Sequence, residues 1–343
     1  MPYRDVERRR MLAAAVLGRD LRPPAPKLEG LDRRDGPDKR DGDAGNESTG
    51  EGAAGSPGAG SDVRLLAVSG RILDISPHLI ILEDDAGEER RLVVAPWATA
   101  WRGAPVPPAD LPVGARVVIR ALRSGTVAER IWADITRITG IIRDVRGSRD
   151  LTIELDGGAH RRTRSIVVPY RFSSRIRVRH PQLAPGYLFD AIGVLDDGTA
   201  LAHLPATSQP PYRARAVPPP SAMYGGAQSK ISGTAVWADL DEYGVAYPML
   251  EADDAGCDDV GRSCSGLPYL ALGSMLEVRN VCDGRSGVLP IVDCGCVAGR
   301  FCDRCLECGT SPRGRLVELS PAAYVELGGD LTKGCFNARV GLG

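Results

Sequence analysis

From residue 63 to residue 208 the chain consists of short runs in which apolar residues alternate with polar ones, separated by Gly and Asp. A strand buried on one face has this period of two, whereas an amphipathic helix repeats every 3.6 residues. Short, regularly spaced runs of this kind are typical of small antiparallel barrels. The pattern therefore predicts an all-β structure for this part of the chain.

The same order of features occurs twice in this region. The matching segments include VSGRILDI (68–75) with ITGIIRDV (138–145), and LPVGARVVIRAL (111–122) with LAPGYLFDAIGVL (183–195). A nearly constant offset over several segments indicates a tandem duplication. We predict two copies of one barrel, at 63–137 and 138–208, with the same strand order. Their strand rhythm resembles that of the oligonucleotide/oligosaccharide-binding (OB) fold.

A different pattern follows in the last third of the chain. A Pro- and Gly-rich stretch, residues 209–230, predicts a linker, and a further domain is expected over 231–343. MLEVRN and GVLPIVD alternate as strands do. SPAAYVELG has an N-capping Ser, a Pro in the first helical position and a terminating Gly, which together predict a helix.

The first 62 residues lack a pattern that builds a core. Residues 21–62 are rich in Gly, Pro, Asp and Arg and nearly devoid of apolar side chains, so we predict a disordered linker. Residues 1–20 contain ERRRMLAAAVL, a basic cluster before a short apolar stretch. This segment reads either as a short amphipathic helix or as a weak export-like signal.

Composition and charge restrict the classes of protein to which the chain can belong. The chain has 43 basic and 44 acidic residues and a net charge of −1, so as a whole it does not attract nucleic acid or anionic lipid as a polycation does. Any affinity for nucleic acid must therefore be regional, and nucleic acid is not the partner that we favour. No apolar run approaches the roughly 18 residues that cross a bilayer, which predicts no membrane span.

One region of the second repeat is strongly basic. No acidic residue lies between Asp156 and Asp190, and Tyr170 and Phe172 interleave with arginines there. The arginines are Arg161, Arg162, Arg164, Arg171, Arg175, Arg177 and Arg179. Three readings remain open: a solvated strand face, a patch for an anionic polymer, or a surface for a protein partner.

Five segments of the last third follow the order of a known family. They are GTAVW (233–237), LALGSMLEVRN (270–280), GVLPIVDCG (287–295), RLVELSPAAYVELG (315–328) and ARVGL (338–342). Together they resemble the double-psi β-barrel of the rare lipoprotein A and expansin-like families. The expected fold class is then all-β, with two tandem small OB-like barrels followed by a double-psi barrel.

The resemblance implies a function. Members of this family bind cell-wall glycan in a groove across the barrel, and some cleave peptidoglycan as lytic transglycosylases. The Asp of the family's Asp-x-Gly motif corresponds to Asp293, which would act as the general acid. Trp237, Asp293 and Gly295 are the expected glycan-binding residues, and Gly295 would allow the backbone to approach a sugar chain closely.

The sequence departs from the family pattern in ways that bear on catalysis. The His that active relatives place before the Leu-x-x-Gly-Thr turn is absent, Glu318 replaces an Asp, and Ser274 replaces a Thr. Glycosidases that hydrolyse need two carboxylates, whereas an intramolecular transglycosylation needs only one group. A second carboxylate would come from Glu251, Asp253 or Asp254, which otherwise form a solvated acidic turn. Enzyme and glycan-binding protein both remain open.

All nine cysteines lie in the last third, and two chemistries account for them. They are Cys257, Cys264, Cys282, Cys294, Cys296, Cys302, Cys305, Cys308 and Cys335. In an oxidising compartment they form disulfides of unknown pairing with one left over, Cys257 with Cys264 closing one short loop. In a reducing compartment Cys302, Cys305 and Cys308, with Cys294 or Cys296, would bind a structural zinc ion. We expect no other cofactor.

Taken together, these features favour a modular protein that acts on cell-wall polysaccharide. We expect it to be extracellular, at the cell envelope, or virion-associated on a phage-tail-like assembly. The alternative is a non-catalytic interaction protein whose tandem barrels dock on a protein partner or an anionic polymer. A third interpretation is an intracellular, zinc-stabilised nucleic-acid binder that uses the arginine cluster.

Overall fold

The computed structural model describes residues 65–158, 161, 163–220, 230–251, 263–295, 297–302, 305, 311 and 313–342. The predictions made for residues 1–62, and those for Arg162, Asp253, Asp254, Cys257, Cys296 and Cys308, lie outside the described residues. Residues 64–343 form one compact unit. The described part is all-β, with three closed barrels, as the alternating pattern predicts.

The first barrel is antiparallel except for one closing pair. Its strands are β1 (Leu66–Ile75), β2 (Leu79–Asp84), β3 (Glu89–Trp101), β4 (Pro105–Val106), β5 (Arg116–Leu122) and β6 (Val127–Ala133). The ring runs β1-β2-β3-β6-β5 and returns to β1, and the β3–β6 pair is parallel. Alternate residues such as Ile80, Leu82 and Ile119 fill its interior, because successive side chains of a strand point to opposite faces.

The second barrel repeats this plan. Its elements are β7 (Ile135–Arg146), β8 (Leu151–Asp156), β9 (Arg164–Val168), α1 (Tyr170–Arg179), β10 (Leu188–Asp196) and β11 (Thr199–Pro205). The ring runs β7-β8-β9-β11-β10 and returns to β7, again with one parallel pair, β9–β11. The shared strand order confirms the predicted duplication.

Local irregularities are duplicated as well. The β1–β2 register shifts between Ile72 and Asp74, and the β7–β8 register shifts at the equivalent place, between Ile142 and Asp144. A Cβ on Gly70 would meet the carbonyl oxygen of Glu83 at 2.2 Å. Both repeats keep Gly two residues before this shift because the neighbouring strand passes too close for a side chain.

Helix α1 contradicts the expectation of a strand face at Tyr170 and Phe172. The stretch Arg-Ile-Arg-Val-Arg alternates as a strand does, but Phe172 and Ile176 are four residues apart and lie on one face of the helix. Ile176 is fully buried, and the ring of Phe172 stacks on His203 with 4.2 Å between centroids. Packing against β11 therefore overrides the local pattern.

The third barrel contains two interlocked parallel pairs. Its elements are β12 (Lys230–Trp237), β13 (Val245–Tyr247), β14 (Met275–Asn280), β15 (Ser286–Cys294), β16 (Arg315–Leu319), α2 (Pro321–Glu326) and β17 (Cys335–Leu342). The ring runs β12-β16-β13-β15-β14-β17 and closes on β12, with β12–β16 and β13–β15 parallel. Exchanging the first three strands with the last three, in order, leaves the set of strand pairings unchanged. This is the predicted double-psi arrangement.

Helix α2 begins and ends where its sequence predicts. The Ser320 side chain accepts a hydrogen bond from the backbone N–H of Ala323, and Pro321 occupies the first turn. Gly328 follows the helix with φ of +84°, a conformation that residues with a Cβ rarely adopt. Ala323, Tyr324 and Val325 are buried.

The barrels pack against one another through a continuous apolar core. Trp132 of the first barrel and Ile192 of the second belong to the same buried cluster as Trp237, Leu276 and Tyr324 of the third. Segment 209–220, part of the predicted linker, joins this packing because the Tyr212 hydroxyl donates to the Arg300 carbonyl at 2.9 Å. The three barrels therefore form one body within the described residues.

A buried ionic network joins the second and third barrels around Asp190. The guanidinium of Arg137 donates to both Asp190 carboxylate oxygens, at 2.9 and 2.7 Å, and Arg315 of the third barrel donates to one of them. Thr139 and Thr207 donate their hydroxyls to the same carboxylate. These two arginines hold the pKa of Asp190 well below its usual value, although burial acts in the opposite direction.

His180, next to this network, predicts an acid-sensitive fold. It is fully buried, its Nε2 accepts the backbone N–H of Asp190 at 3.1 Å, and burial lowers its pKa from 6.5 to about 4. Between these pH values the unfolded chain binds a proton that the folded chain does not. Stability therefore falls as the pH drops from 6.5 to 4, by about 3 kcal/mol from this residue.

Urea unfolding at pH 7 and pH 4 measures this contribution. We expect His180→Gln, which keeps an acceptor for the Asp190 amide, to lose about 3 kcal/mol less than the wild type over this interval. The exposed His78 provides the control, and His78→Gln should keep the wild-type pH dependence. A His180→Gln variant with the full wild-type pH dependence would contradict the assignment.

Candidate functional site

The candidate site is a face of the third barrel that carries two carboxylates. Asp293 of β15 and Glu318 of β16 both pair with Ala246 of the strand β13 between them. Residues that are paired across neighbouring strands point to the same side of the sheet. The two carboxylates therefore project from one face, with their Cα atoms about 10 Å apart, two strand spacings.

The two carboxylates differ in their access to solvent. Asp293 is half-buried at the end of its strand, and its Oδ1 accepts the backbone N–H of Cys294 at 2.7 Å. Glu318 is fully buried and lies 3.6 Å from the guanidinium of Arg315. Of this pair, only Asp293 is accessible to a large ligand.

The second barrel contributes a cation to this face. Arg161, between β8 and β9, donates to the Glu318 carboxylate at 2.8 Å. The charge of Glu318 chiefly, and those of Asp293 and Asp239 to a smaller extent, raises the pKa of Arg161 against the effect of burial. Arg161 thus serves as a counterion shared by three carboxylates of the third barrel.

Asp239 extends the site towards a cleft. It follows β12, and its carboxylate accepts the Thr136 hydroxyl at 2.6 Å and the Arg137 backbone N–H at 3.3 Å. Burial raises the pKa of Asp239, while the Thr136 hydrogen bond and the charges of Arg164 and Arg161 lower it. The side chain still reaches solvent, because it lines a cleft of about 780 Å³ to which all three barrels contribute.

Two of the three predicted glycan-binding residues lie elsewhere than expected. Trp237 is fully buried and donates its indole N–H to the Leu331 carbonyl at 3.0 Å, so its ring has no surface on which a sugar can stack. Gly295 is buried too, and a Cβ there would meet the Ala246 carbonyl oxygen at 3.2 Å. The backbone of Gly295 therefore lies close to strand β13 of the same barrel and not to a site where a sugar chain could bind. Of the three predicted glycan-binding residues, Asp293 is the one that remains accessible to solvent.

The arginine cluster separates into two groups. Arg161 contacts Glu318 of the third barrel, whereas Arg164 donates to the hydroxyl of Thr136 in its own barrel at 3.3 Å. The four later arginines of the cluster lie exposed on helix α1: Arg171, Arg175, Arg177 and Arg179. The sequence suggests one continuous basic patch, but the structure divides the arginines between two places.

The cysteines favour disulfide chemistry. Cys264 is bonded to Cys302, which corrects the expected pairing of Cys264 with Cys257 and removes Cys302 from a zinc site. Cys282 and Cys294 are disulfide-bonded as well. Cys305 and Cys335 are buried with their Sγ atoms 2.7 Å apart. Within the described residues, no group of three or more His, Cys, Asp or Glu is placed to hold a metal ion.

Glu251, the described member of the proposed acidic turn, is exposed. The second carboxylate that the structure places on the face of Asp293 is instead Glu318. The sequence carried one signal for it, a charged residue inside the apolar strand RLVEL. Arg161 had no comparable signal, because its partner is 157 residues away.

No protein-family model matches the chain, and no curated protein matches it in sequence. The resemblance to the rare lipoprotein A and expansin-like families therefore remains a prediction. In the described residues, no helix combines the length and the apolar content needed to cross a membrane.

Proposed function

We propose that this chain binds cell-wall glycan through the carboxylate face of its third barrel. The observation that carries the proposal is the half-buried Asp293 at the end of β15, on the same face as Glu318 of a double-psi barrel. Carboxylate oxygens accept hydrogen bonds from sugar hydroxyls without needing a further ion. The ordered motifs of the last third support peptidoglycan as the glycan.

The enzymatic form of this proposal assigns lytic-transglycosylase-like cleavage to Asp293. A carboxylic acid at this position protonates the glycosidic oxygen and then accepts the proton of the attacking sugar hydroxyl, so that one group serves both steps. The protein would act outside the cytoplasm, secreted, at the cell envelope or on a phage-tail-like assembly. The disulfide-bonded cysteines of the third barrel support this location, because disulfides persist in oxidising compartments.

The alternative function is that of a non-catalytic interaction protein. The contact that favours it is the ion pair of Arg161 with Glu318, because the second barrel thereby covers part of the carboxylate face. In this case the barrels form a scaffold for a partner, and Asp293 takes part in no reaction.

Incubation of the full chain with purified insoluble peptidoglycan tests these functions together. We expect the wild type to sediment with the wall material and to release anhydro-muropeptides. Asp293→Asn keeps a hydrogen-bonding side chain, so it should sediment equally but release fragments about 100- to 10,000-fold more slowly. Asp110→Asn, at an exposed position in the first barrel, is the control and should behave as the wild type.

Each other result has a defined meaning. Sedimentation without release of fragments limits the function to binding. An active Asp293→Asn variant would move the chemistry away from this face. A wild-type chain that does not sediment with the wall would overturn the glycan proposal and favour the interaction protein.

A further inference from the structure

Helix α1 of the second barrel presents a line of exposed arginines to solvent. Arg171, Arg175 and Arg179 follow one another at intervals of four residues and therefore share one side of the helix. The rise of 1.5 Å per residue spaces them about 6 Å apart along the axis. Arg177 lies on the other flank of the exposed surface.

The surface between these flanks is not charged. Tyr170 is 63% exposed and Val178 is 80% exposed, and with Ser174 they form the middle of the outward side of α1. The opposite side of the helix is packed on β11, so these side chains lie on its outward side. The face thus combines a ring, an apolar side chain and guanidinium groups.

The positive charge of this face is not balanced locally. Arg171, Arg175 and Arg177 form no salt bridge with any residue that the structure describes. The sequence holds no acidic residue from 157 to 189. The two arginines in the last turn interact favourably with the helix dipole, but Arg171 and Arg175 gain nothing from it.

We propose that the exposed face of α1 is a binding site for an anionic polysaccharide. Guanidinium groups bind carboxylate, sulfate or phosphate groups in a planar, two-pronged geometry. The tyrosine ring supplies a flat apolar surface against a sugar ring. Because the arginines are only about 6 Å apart along the helix axis, one extended polymer can contact several of them together.

The same face is poorly suited to single-stranded nucleic acid. Binding of that kind uses several aromatic rings on which successive bases stack. Phe172, the other aromatic residue of α1, turns inward and stacks on His203, with the guanidinium of Arg171 over its ring at 4.6 Å. Tyr170 alone remains exposed on the helix, which favours a polymer of sugars over one of bases.

The site is independent of the carboxylate face. It lies on α1 of the second barrel, and none of its arginines takes part in the contacts of Asp293 and Glu318. The failure of glycan binding by the third barrel therefore leaves this proposal intact, and the reverse also holds.

Binding of the full chain to heparin, a model anionic polysaccharide, tests the site. Replacement of three arginines on one flank, Arg171→Gln, Arg175→Gln and Arg179→Gln, should weaken binding at least tenfold at low salt. It should also reduce the magnitude of the slope of log affinity against log salt concentration by about 2 to 3. Each arginine contact releases about one counterion on binding, and the variant lacks three of these contacts. Unfolding by urea should show that the variant is folded.

A matched variant controls for net charge. Arg90→Gln, Arg91→Gln and Arg116→Gln together remove the same charge from exposed positions of the first barrel and should leave affinity within twofold. An equal loss in this control would overturn the proposal. So would uncharged dextran competing as well as heparin, and a single-stranded oligonucleotide that binds more tightly would assign the face to nucleic acid.

Discussion

Replacing Asp190 by Asn should lower the free energy of unfolding by about 3–5 kcal/mol. The substitution preserves shape but removes the negative charge that lies between two buried guanidinium groups, those of Arg137 and Arg315. Removing one member of a buried charged network is costly because its partners stay buried with less compensation. Arg315 would keep Glu318, at 3.6 Å, while Arg137 would lose the carboxylate to which it donates two hydrogen bonds. The loss should affect the second and third barrels together, since Arg315 belongs to the third.

Denaturant unfolding checks this prediction, with Asp196→Asn as the control. Asp196 ends the same strand, its side chain is 59% exposed, and its nearest cation, Arg102, is 3.9 Å away. Exposed pairs contribute little, so we expect a change within about 0.5 kcal/mol. A loss below 1 kcal/mol for Asp190→Asn would mean that solvent or rearrangement neutralises the buried arginines.

The pH dependence of the same variant has a defined sign. The pKa of Asp190 is lowered in the folded protein, so its contribution is complete above the unfolded pKa of about 4 and decreases as the pH falls below it. Asp190→Asn should lack this acid-dependent part of the stability. The His180 contribution, which decreases between pH 6.5 and 4, should persist in that variant.

Trp237→Ala should cost about 3–5 kcal/mol of stability. The substitution leaves a cavity in the core of the third barrel and removes the donor to the Leu331 carbonyl. If Trp237 instead contacted glycan at the surface, the variant would unfold as the wild type does and lose only binding. Urea unfolding combined with the peptidoglycan sedimentation assay distinguishes the two.

Trp97→Ala is the matched control for this substitution. Trp97 is 37% exposed on β3, so its removal creates a smaller cavity and should cost clearly less than Trp237→Ala. Equal losses for the two variants would contradict the placement of Trp237 as a main side chain of the core.

Local pattern was enough to predict the repeated strands of the first two barrels. The Gly and Asp positions of VSGRILDI and ITGIIRDV anticipate the glycine at the close strand contact and the register shift at Ile72 and Ile142. The same holds for α2, where Ser320, Pro321 and Gly328 mark both ends. These features depend on neighbours in sequence, so periodicity and capping residues report them directly.

Pattern alone predicted the wrong structure at α1 and the wrong role for Trp237. The alternation in Arg-Ile-Arg-Val-Arg is compatible with a strand. The segment is helical because Phe172 and Ile176 then pack against the barrel on one side. An aromatic residue at a strand end suits a binding groove as well as a core, and burial decides between them.

The sequence by itself determined the number and kind of barrels, their duplication and the presence of an acid at Asp293. Only the tertiary structure decided which residues meet: Arg161 with Glu318, Arg315 with Asp190, and Cys264 with Cys302. Strand periodicity is a short-range property of the chain, so it is legible in the sequence. The two ion pairs join different barrels and depend on how these barrels pack, and the disulfide depends on how the loops of the third barrel fold. The separation of 125 residues between Asp190 and Arg315 leaves no local pattern that indicates their contact.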